Sequence, residues 1–299
     1  MKFVTFSTSN SALRPGLLFD DGIQTVPFAS LMDLIQAGED GLERVRNFQD
    51  KSRIPLNEVR LLAPISRPTT LRDGYAFENH VKTANANRGR EVPAEWYKFP
   101  IFYFTNPNNI YGPDDEIPYP SYTNEMDYEL EIAAVIGKPG INIKPEDAPK
   151  HLFGYTIFND WSARDVQREE LKVGLGPAKG KDFASALGPC IITADELTDK
   201  SVNCPGIYDL EMRARVNGIE RSRGNFKDMY WSFGDLLARA SENVTLLPGD
   251  VIGSGTVGTG CLLELTKAQG PWLNAGDVVE LEIERIGILK NTIGRKMSK

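Results

Sequence analysis

The stretch from Asn124 to Gly137, NEMDYELEIAAVIG, sets Glu129 and Glu131 two residues apart in an otherwise apolar run. Residues i and i+2 of a β-strand share a face, so the two carboxylates would stand side by side, with Leu130 on the opposite face. Two adjacent negative charges repel. Without a cation or a shared proton, one of the carboxyls is expected to hold its proton unusually tightly, and burial strengthens that hold. A hard divalent cation is the simplest partner, because Mg²⁺, Mn²⁺ and Ca²⁺ favour carboxylate oxygens. The plainer alternative is a solvated pair on a half-exposed strand, which composition alone favours. Residues Ile132 to Ile136 are apolar at every position. Such a run reads as a strand buried on both faces, which tilts the balance to the metal.

A metal would gather further carboxylates. Asp160, in FNDWSARDVQ, ends an apolar strand, and Asp73, in RDGYAFENH, lies seven residues before His80. His80 and His151 are the two histidines of the chain, too few to expect a zinc site built on imidazoles. The run Gly253 to Gly258 formally matches G-x-G-x-x-G, yet the following TGCLLELT reads as a strand where a dinucleotide fingerprint requires a helix. GLGPAKGKDFAS has the wrong spacing for a phosphate loop, and Asp182 stands where Ser or Thr should follow the lysine.

The positioning elements read as mainly β. Short strands and a helical stretch with a glycine interruption, FASLMDLIQAGEDGLERVRNFQDK, form a small α/β unit over residues 1–65. The proline-bearing segment Leu61 to Gly74 joins it to the remainder, residues 66–299. There, FPIFYFTN, YELEIAAVIG, LFGYTIFND and GDVVELEIERIGIL read as strands, and Asn217-Gly218 is a two-residue hairpin signal. Inserted helices are expected at PEDAPKHL, at DMYWSFGDLLARASE, and at SARDVQREEL with Ser162 as N-cap and Asp165 completing a capping box. The fold class is α+β and mainly β, without the strand-helix alternation of a Rossmann fold.

Composition narrows the partners. The chain has 299 residues, 41% hydrophobic and 25% charged, with a net charge of -7 and no Lys/Arg-rich block, so no nucleic-acid partner is expected. No stretch approaches the roughly 20 apolar residues of a membrane span, and the N-terminus lacks a secretory pattern, so neither a membrane partner nor export is expected. Cys190, Cys204 and Cys261 are widely spaced. They suit a reducing compartment, and the expected location is the cytoplasm.

The motifs DGYAFENH, RGREVPAEWYKFPIFY, DYELEIA, NDWSARDVQ, KDFAS and GTVGTGCLLEL resemble, in order and approximate spacing, those of the fumarylacetoacetate hydrolase family, from about residue 60 onward. The similarity is closer to fumarylacetoacetate hydrolase than to the acylpyruvate hydrolase branch. That branch has a glutamate three residues after the catalytic histidine, where this chain has Thr83. The resemblance implies a mixed β-sandwich roll, a homodimer, and one Mg²⁺ or Mn²⁺, with Ca²⁺ as a third option, held by Asp73, Glu129, Glu131 and Asp160. It implies His80 as general base oriented by Glu264, with Lys181, Arg164 and Gln167 as oxyanion and carboxylate donors. Tyr75, Arg88, Tyr103 and Thr256 match substrate-binding positions. Ala184 and Ser185 depart from the small residue and threonine of the animal enzyme.

The implied activity is metal-dependent hydrolysis of the carbon-carbon bond of a small anionic β-diketo acid, fumarylacetoacetate or an acylpyruvate. The residue types suit it: an imidazole takes a proton from water, and a metal stabilises the departing enolate. Relatives use the same enolate chemistry to decarboxylate oxaloacetate or to isomerise or hydrate dienoic acids, which stands as the alternative reaction. A non-catalytic module with a structural Ca²⁺ would need no base, so His80 and Glu264 count against it.

Overall fold

The computed structural model describes residues 1–9, 12–202, 204 and 206–298. Among these, eleven strands form one mixed sheet. Its path runs β3 (Gly22–Thr25), β2 (Arg14–Phe19), β1 (Lys2–Thr8), β13 (Ser185–Ile192), β11 (Leu152–Asp160), β10 (Leu130–Ile136), β16 (Val251–Gly253), β5 (Leu71–Gly74) and β6 (Phe102–Thr105). Off this path, β4 (Val59–Leu62) pairs with β1 and β7 (Ile110–Tyr111) with β13. A second sheet has the order β15 (Ile219–Asn225), β14 (Glu211–Val216), β17 (Val278–Ile283), β18 (Gly287–Lys296), β8 (Glu116–Tyr119). A short pair joins β9 (Met126–Asp127) to β12 (Ser162–Ala163). The protein is thus mainly β, as its composition of β-branched and aromatic runs implies.

Strand β10 explains why an unbroken apolar run is needed. Leu130, Ile132, Ala134 and Ile136 join a core shared with Met212 and Ala214 of β14 and Leu281 of β17. Ala133 and Val135 point the other way, to a second core with Leu34 and Ile35 of helix α1 (Leu31–Arg46). Both faces are therefore dry, and each fully buried Leu or Ile contributes roughly 1.5–3 kcal/mol. Helix α1 starts at the N-cap Ser30, whose hydroxyl accepts the Asp33 N–H at 3.1 Å, and it kinks at Gly38, where the sequence shows its glycine interruption. Because β1 pairs with β13, the large sheet runs without a break from residues 1–65 into the remainder.

Among the described residues the remaining α-helices are α2 (Glu78–Ala86), α3 (Arg164–Val173), α4 (Phe233–Ala240) and α5 (Leu262–Leu265), and Pro145–His151 is one of several 3₁₀ turns. Asn217 and Gly218 turn β14 into β15 with φ of 53° and 76°, the positive pair that a tight hairpin requires. Two local expectations are corrected. CLLEL is a turn of helix, α5, where the sequence reads as a strand. Ser162 lies in β12 and the N-cap of α3 is Ala163, without a side-chain cap. Asp165 instead accepts the Thr123 hydroxyl and the Asn124 N–H. Among the described residues, no helix is long and apolar enough to cross a membrane.

Candidate active site

Register brings the acidic side chains to one end of the large sheet. Leu130 of β10 opposes Asn159 of β11, so the preceding Glu129 falls beside the strand-terminal Asp160. Continuing the ladder there, the Glu129 N–H donates to the Asn159 side chain at 2.9 Å. Two strands away, Asp73 of β5 opposes Gly253 of β16 and Tyr103 of β6. One oxygen each of Asp73, Glu129 and Glu131 lies within 4.8 Å of the others, all three residues being buried. Asp160 is joined to Glu129 through Lys181, whose ammonium donates to Asp160 Oδ2 at 2.7 Å and also to Glu129 Oε2. Tyr103 donates its hydroxyl to Asp160 Oδ2.

The glycine run between β16 and α5 shapes this cluster. A Cβ on Gly253 would stand 2.4 Å from Asp73 Oδ1, so only glycine leaves room for that carboxylate. Gly255, at φ 77°, donates its N–H to the same oxygen at 3.1 Å. Thr256 Oγ1 then donates to Glu131 Oε1 at 3.2 Å. The pattern that resembled a dinucleotide fingerprint positions acidic oxygens instead.

Five buried carboxylates, Asp73, Asp127, Glu129, Glu131 and Asp160, face two buried cations, Arg164 and Lys181. Burial, then repulsion from Asp160, pushes Asp73 up to about 8, and burial with Asp73 close by raises Glu131 well above the carboxylate range. Burial also raises Asp160. Glu129 goes the other way: burial opposes its ionisation, but Lys181 and Arg164 together hold it down to about 2. The split that two neighbouring glutamates require falls out in opposite directions, Glu129 toward the ionised form and Glu131 toward the protonated form. Glu131 Oε2 and Asp160 Oδ1 are buried without a hydrogen-bond partner. Unpartnered oxygens in a group this rich in negative charge fit a hard divalent cation, which would replace the protons on Asp73 and Glu131.

A second group borders the same space. His80, on α2, bonds through Nδ1 to Glu264 Oε1 of α5, and both are buried. Glu264 Oε2 accepts the Thr259 N–H at 3.0 Å. Tyr75 meets the His80 ring edge-on at 5.4 Å between centroids, and burial pushes its hydroxyl up to about 12. Arg164 donates from Nε to Asp127 Oδ2 at 2.8 Å and from Nη1 to Gln167 Oε1 at 3.1 Å, and its Nη2 lies 2.9 Å from Glu129 Oε1. A cleft of about 470 Å³ is lined by Asp73, Tyr75, His80, Arg88, Tyr103, Glu129, Arg164, Gln167, Lys181 and Thr256. Glu131 and Asp160 lie just beneath, and Glu264 behind the His80 ring. The sequence-derived residues are thus brought together around one cavity.

Asp127 is the residue that sequence reasoning missed. Fully buried, it accepts the N–H groups of Tyr128, Leu262 and Leu263 at 2.8–3.0 Å, besides Arg164. One carboxylate therefore ties Arg164 to the first turn of the helix that carries Glu264. The signal was present: Asp127 continues the alternation of Glu129 and Glu131 one step back along the chain.

The family model described as fumarylacetoacetate (FAA) hydrolase C-terminal matches residues 69–294. The chain belongs to the fumarylacetoacetate hydrolase family. It is 34% identical over 308 residues to a mitochondrial oxaloacetate tautomerase of Xenopus laevis, covering 98% of this chain and 90% of the relative. A probable 2-hydroxyhepta-2,4-diene-1,7-dioate isomerase from Mycobacterium abscessus superposes with a TM-score of 0.77 at 27% identity, covering 100% of both chains. Fumarylacetoacetate hydrolase from Exiguobacterium antarcticum superposes with a TM-score of 0.75 at 29% identity, covering 99% of this chain and 100% of that one. These neighbours share the fold, with its β-rich body.

Proposed function

We propose that this family member hydrolyses the carbon-carbon bond of a β-diketo acid, of the fumarylacetoacetate or acylpyruvate type. The observation that carries the reading is the His80–Glu264 pair bordering the same cleft as the carboxylate cluster. With Nδ1 engaged by Glu264, the other ring nitrogen, Nε2, is left to take a proton from water, and Glu264 stabilises the imidazolium that results. The water oxygen then bonds to one carbonyl carbon, the adjacent carbon-carbon bond breaks, and its electron pair leaves with the enolate, which the imidazolium proton later quenches. A divalent cation, Mg²⁺ or Mn²⁺, on Asp73, Glu129, Glu131 and Asp160 would supply the electron sink for that enolate. Lys181 has three N–H donors and two bound carboxylates, so one donor remains for a substrate oxygen.

The pair also supports the fumarylacetoacetate hydrolase branch. Thr83 occupies the position where the acylpyruvate branch carries its glutamate, and here Glu264 reaches the imidazole from α5 instead. The cysteines Cys190, Cys204 and Cys261 are unpaired, in keeping with a cytoplasmic enzyme. A second reading, tautomerisation of oxaloacetate or isomerisation of a dienoic acid, is favoured by the names of the relatives, and decarboxylation of oxaloacetate stands beside it as the same enolate chemistry. The test is purified protein with Mg²⁺ or Mn²⁺, offered fumarylacetoacetate, acylpyruvates and oxaloacetate, with ultraviolet loss and product masses recorded. Two carboxylic acids from a diketo acid support hydrolysis. Enol-keto exchange of oxaloacetate without cleavage of any diketo acid overturns it in favour of the second reading.

A further inference from the structure

Beside the oxygen-lined cluster stands a second set of ligating groups with a different chemistry. One atom each of His80, Cys261 and Glu264 lies within 4.8 Å of the others, and all three residues are buried. Cys261 is the N-cap of α5 and Glu264 lies in the turn it opens, so one short helix sets Cys261 Sγ 3.8 Å from Glu264 Oε1. His80 reaches the same oxygen from α2 through Nδ1. A thiol, an imidazole and a carboxylate are the donors that Zn²⁺ takes, whereas Asp73, Glu129 and Glu131 offer oxygen alone and suit a harder ion.

Spacing and charge both suit the softer ion. Ligands at about 2.0–2.3 Å from a tetrahedral Zn²⁺ stand roughly 3.3–3.8 Å from one another. The sulfur and Oε1 already have that separation, and the imidazole has only to draw back from Oε1 as the ion takes the place of the hydrogen between them. Thiolate and carboxylate cancel the ion's two charges, so the buried site ends neutral. Binding releases one proton, from the Cys261 thiol, which burial otherwise holds well above the ordinary thiol range. Two openings lead in. His80 lines the cleft, and Glu264 also borders a separate space of about 380 Å³ with Asn79, Thr83 and Thr259. Water from either side completes the fourth position.

We propose that His80, Cys261 and Glu264 form a zinc site, distinct from the carboxylate cluster, whose occupation stops turnover. The loss of turnover rests on the reading of His80 as the base. Held through Nε2, the ion takes the proton-accepting atom itself; held through Nδ1, it leaves the ring hydrogen on Nε2. Either way no proton passes from water to the ring. The count of histidines gives no reason to expect such a site, because a thiolate stands in for a further imidazole.

The experiment uses the full chain saturated with Mg²⁺. Equilibrium dialysis against Zn²⁺ should return one zinc per chain, and Co²⁺ offered in its place should give the near-ultraviolet charge-transfer band of a cobalt–thiolate bond. Cys261→Ser should erase that band and Cys204→Ser should keep it; Cys261→Ala carries the same comparison where serine unsettles the fold. Turnover should fall as zinc fills the site and return with a chelator followed by fresh Mg²⁺. Relative to its own zinc-free rate, Cys261→Ser should need at least about tenfold more zinc for the same loss. A missing cobalt–thiolate band, or zinc inhibition that Cys261→Ser leaves unmoved and excess Mg²⁺ relieves, would overturn the site. Zinc bound through Cys261 with turnover unchanged would keep the site and remove His80 as the base.

Discussion

Replacing Glu264 by glutamine tests the proposed base through its geometry. The carboxylate has two oxygens with two tasks: Oε1 holds His80 Nδ1 and Oε2 accepts the Thr259 backbone N–H at 3.0 Å. Glutamine has one oxygen. The Thr259 amide can only donate, so the glutamine oxygen turns to it and the NH₂ group faces His80. The ring must then accept at Nδ1 and carry its hydrogen on Nε2, the nitrogen left for the cleft. An Nε2 that already bears hydrogen cannot take a proton from water. Flipping the amide restores the ring but sets two donors against each other at the partly buried Thr259 N–H, a cost of up to about 1 kcal/mol. With the imidazolium also deprived of its carboxylate, the expected loss in kcat is about 10²- to 10⁴-fold, the usual worth of a positioned base, with KM changed less than about threefold. The assay is steady-state cleavage followed by ultraviolet loss at saturating Mg²⁺, with thermal melting and ion binding as controls for the fold. A variant that keeps more than a tenth of the wild-type kcat would falsify the role assigned to the pair.

Three further outcomes follow from the same site. Asp127→Asn turns a donor against Arg164 Nε and the Leu263 N–H; breaking this buried pair should cost about 3–5 kcal/mol. Calorimetry should show Tm falling by roughly 6–20 °C, and an unchanged melt would remove Asp127 from its place as a tie. Gly253→Ala puts a methyl 2.4 Å from Asp73 Oδ1 and should weaken divalent-ion affinity by about 10- to 100-fold, read by titration calorimetry. The third concerns pH. Asp73 stands at about 8 against an ordinary 3.8, so the stability its protonated form contributes without a metal is present at low pH and is lost as pH rises from about 4 through 8. The rise in Tm on adding Mg²⁺ should accordingly be larger at pH 8 than at pH 6. A gap that stays constant across that range would refute the proton-for-metal exchange.

Much of the site was legible because its side chains sit on strongly patterned segments. The apolar run after Glu131, with Ile and Val at three of its five positions, reads as a strand with two dry faces, and Leu130 to Ile136 is buried throughout. The hairpin at Asn217-Gly218 follows from residues that tolerate positive φ. CLLEL was misread because so short a segment, three apolar residues followed by Glu264 and Leu265, carries no period that separates strand from helix. What makes it helical is distant in sequence: Asp127 accepts the Leu262 and Leu263 N–H groups at the helix start. The cap expected from Ser162 failed for a similar reason, since Asp165 spends its oxygens on Thr123 and Asn124. Local pattern shows which groups are present, whereas long-range hydrogen bonds decide which of them meet.

The pairing of β1 with β13 bears on what can be cut from this chain. Residues 185–192 are buried along their whole length; β11 lines β13, β1 pairs with Ile191 and Ile192, and β7 pairs with Ser185 and Ala186. A protein started after residue 65 would leave the apolar Ile191–Ile192 end of β13 with unpaired amide and carbonyl groups, and would also uncover Ala133 and Val135 where α1 had lain. Such a strand is a ready template for self-association. Insoluble aggregate, in place of a smaller working enzyme, is the fate such a truncation invites.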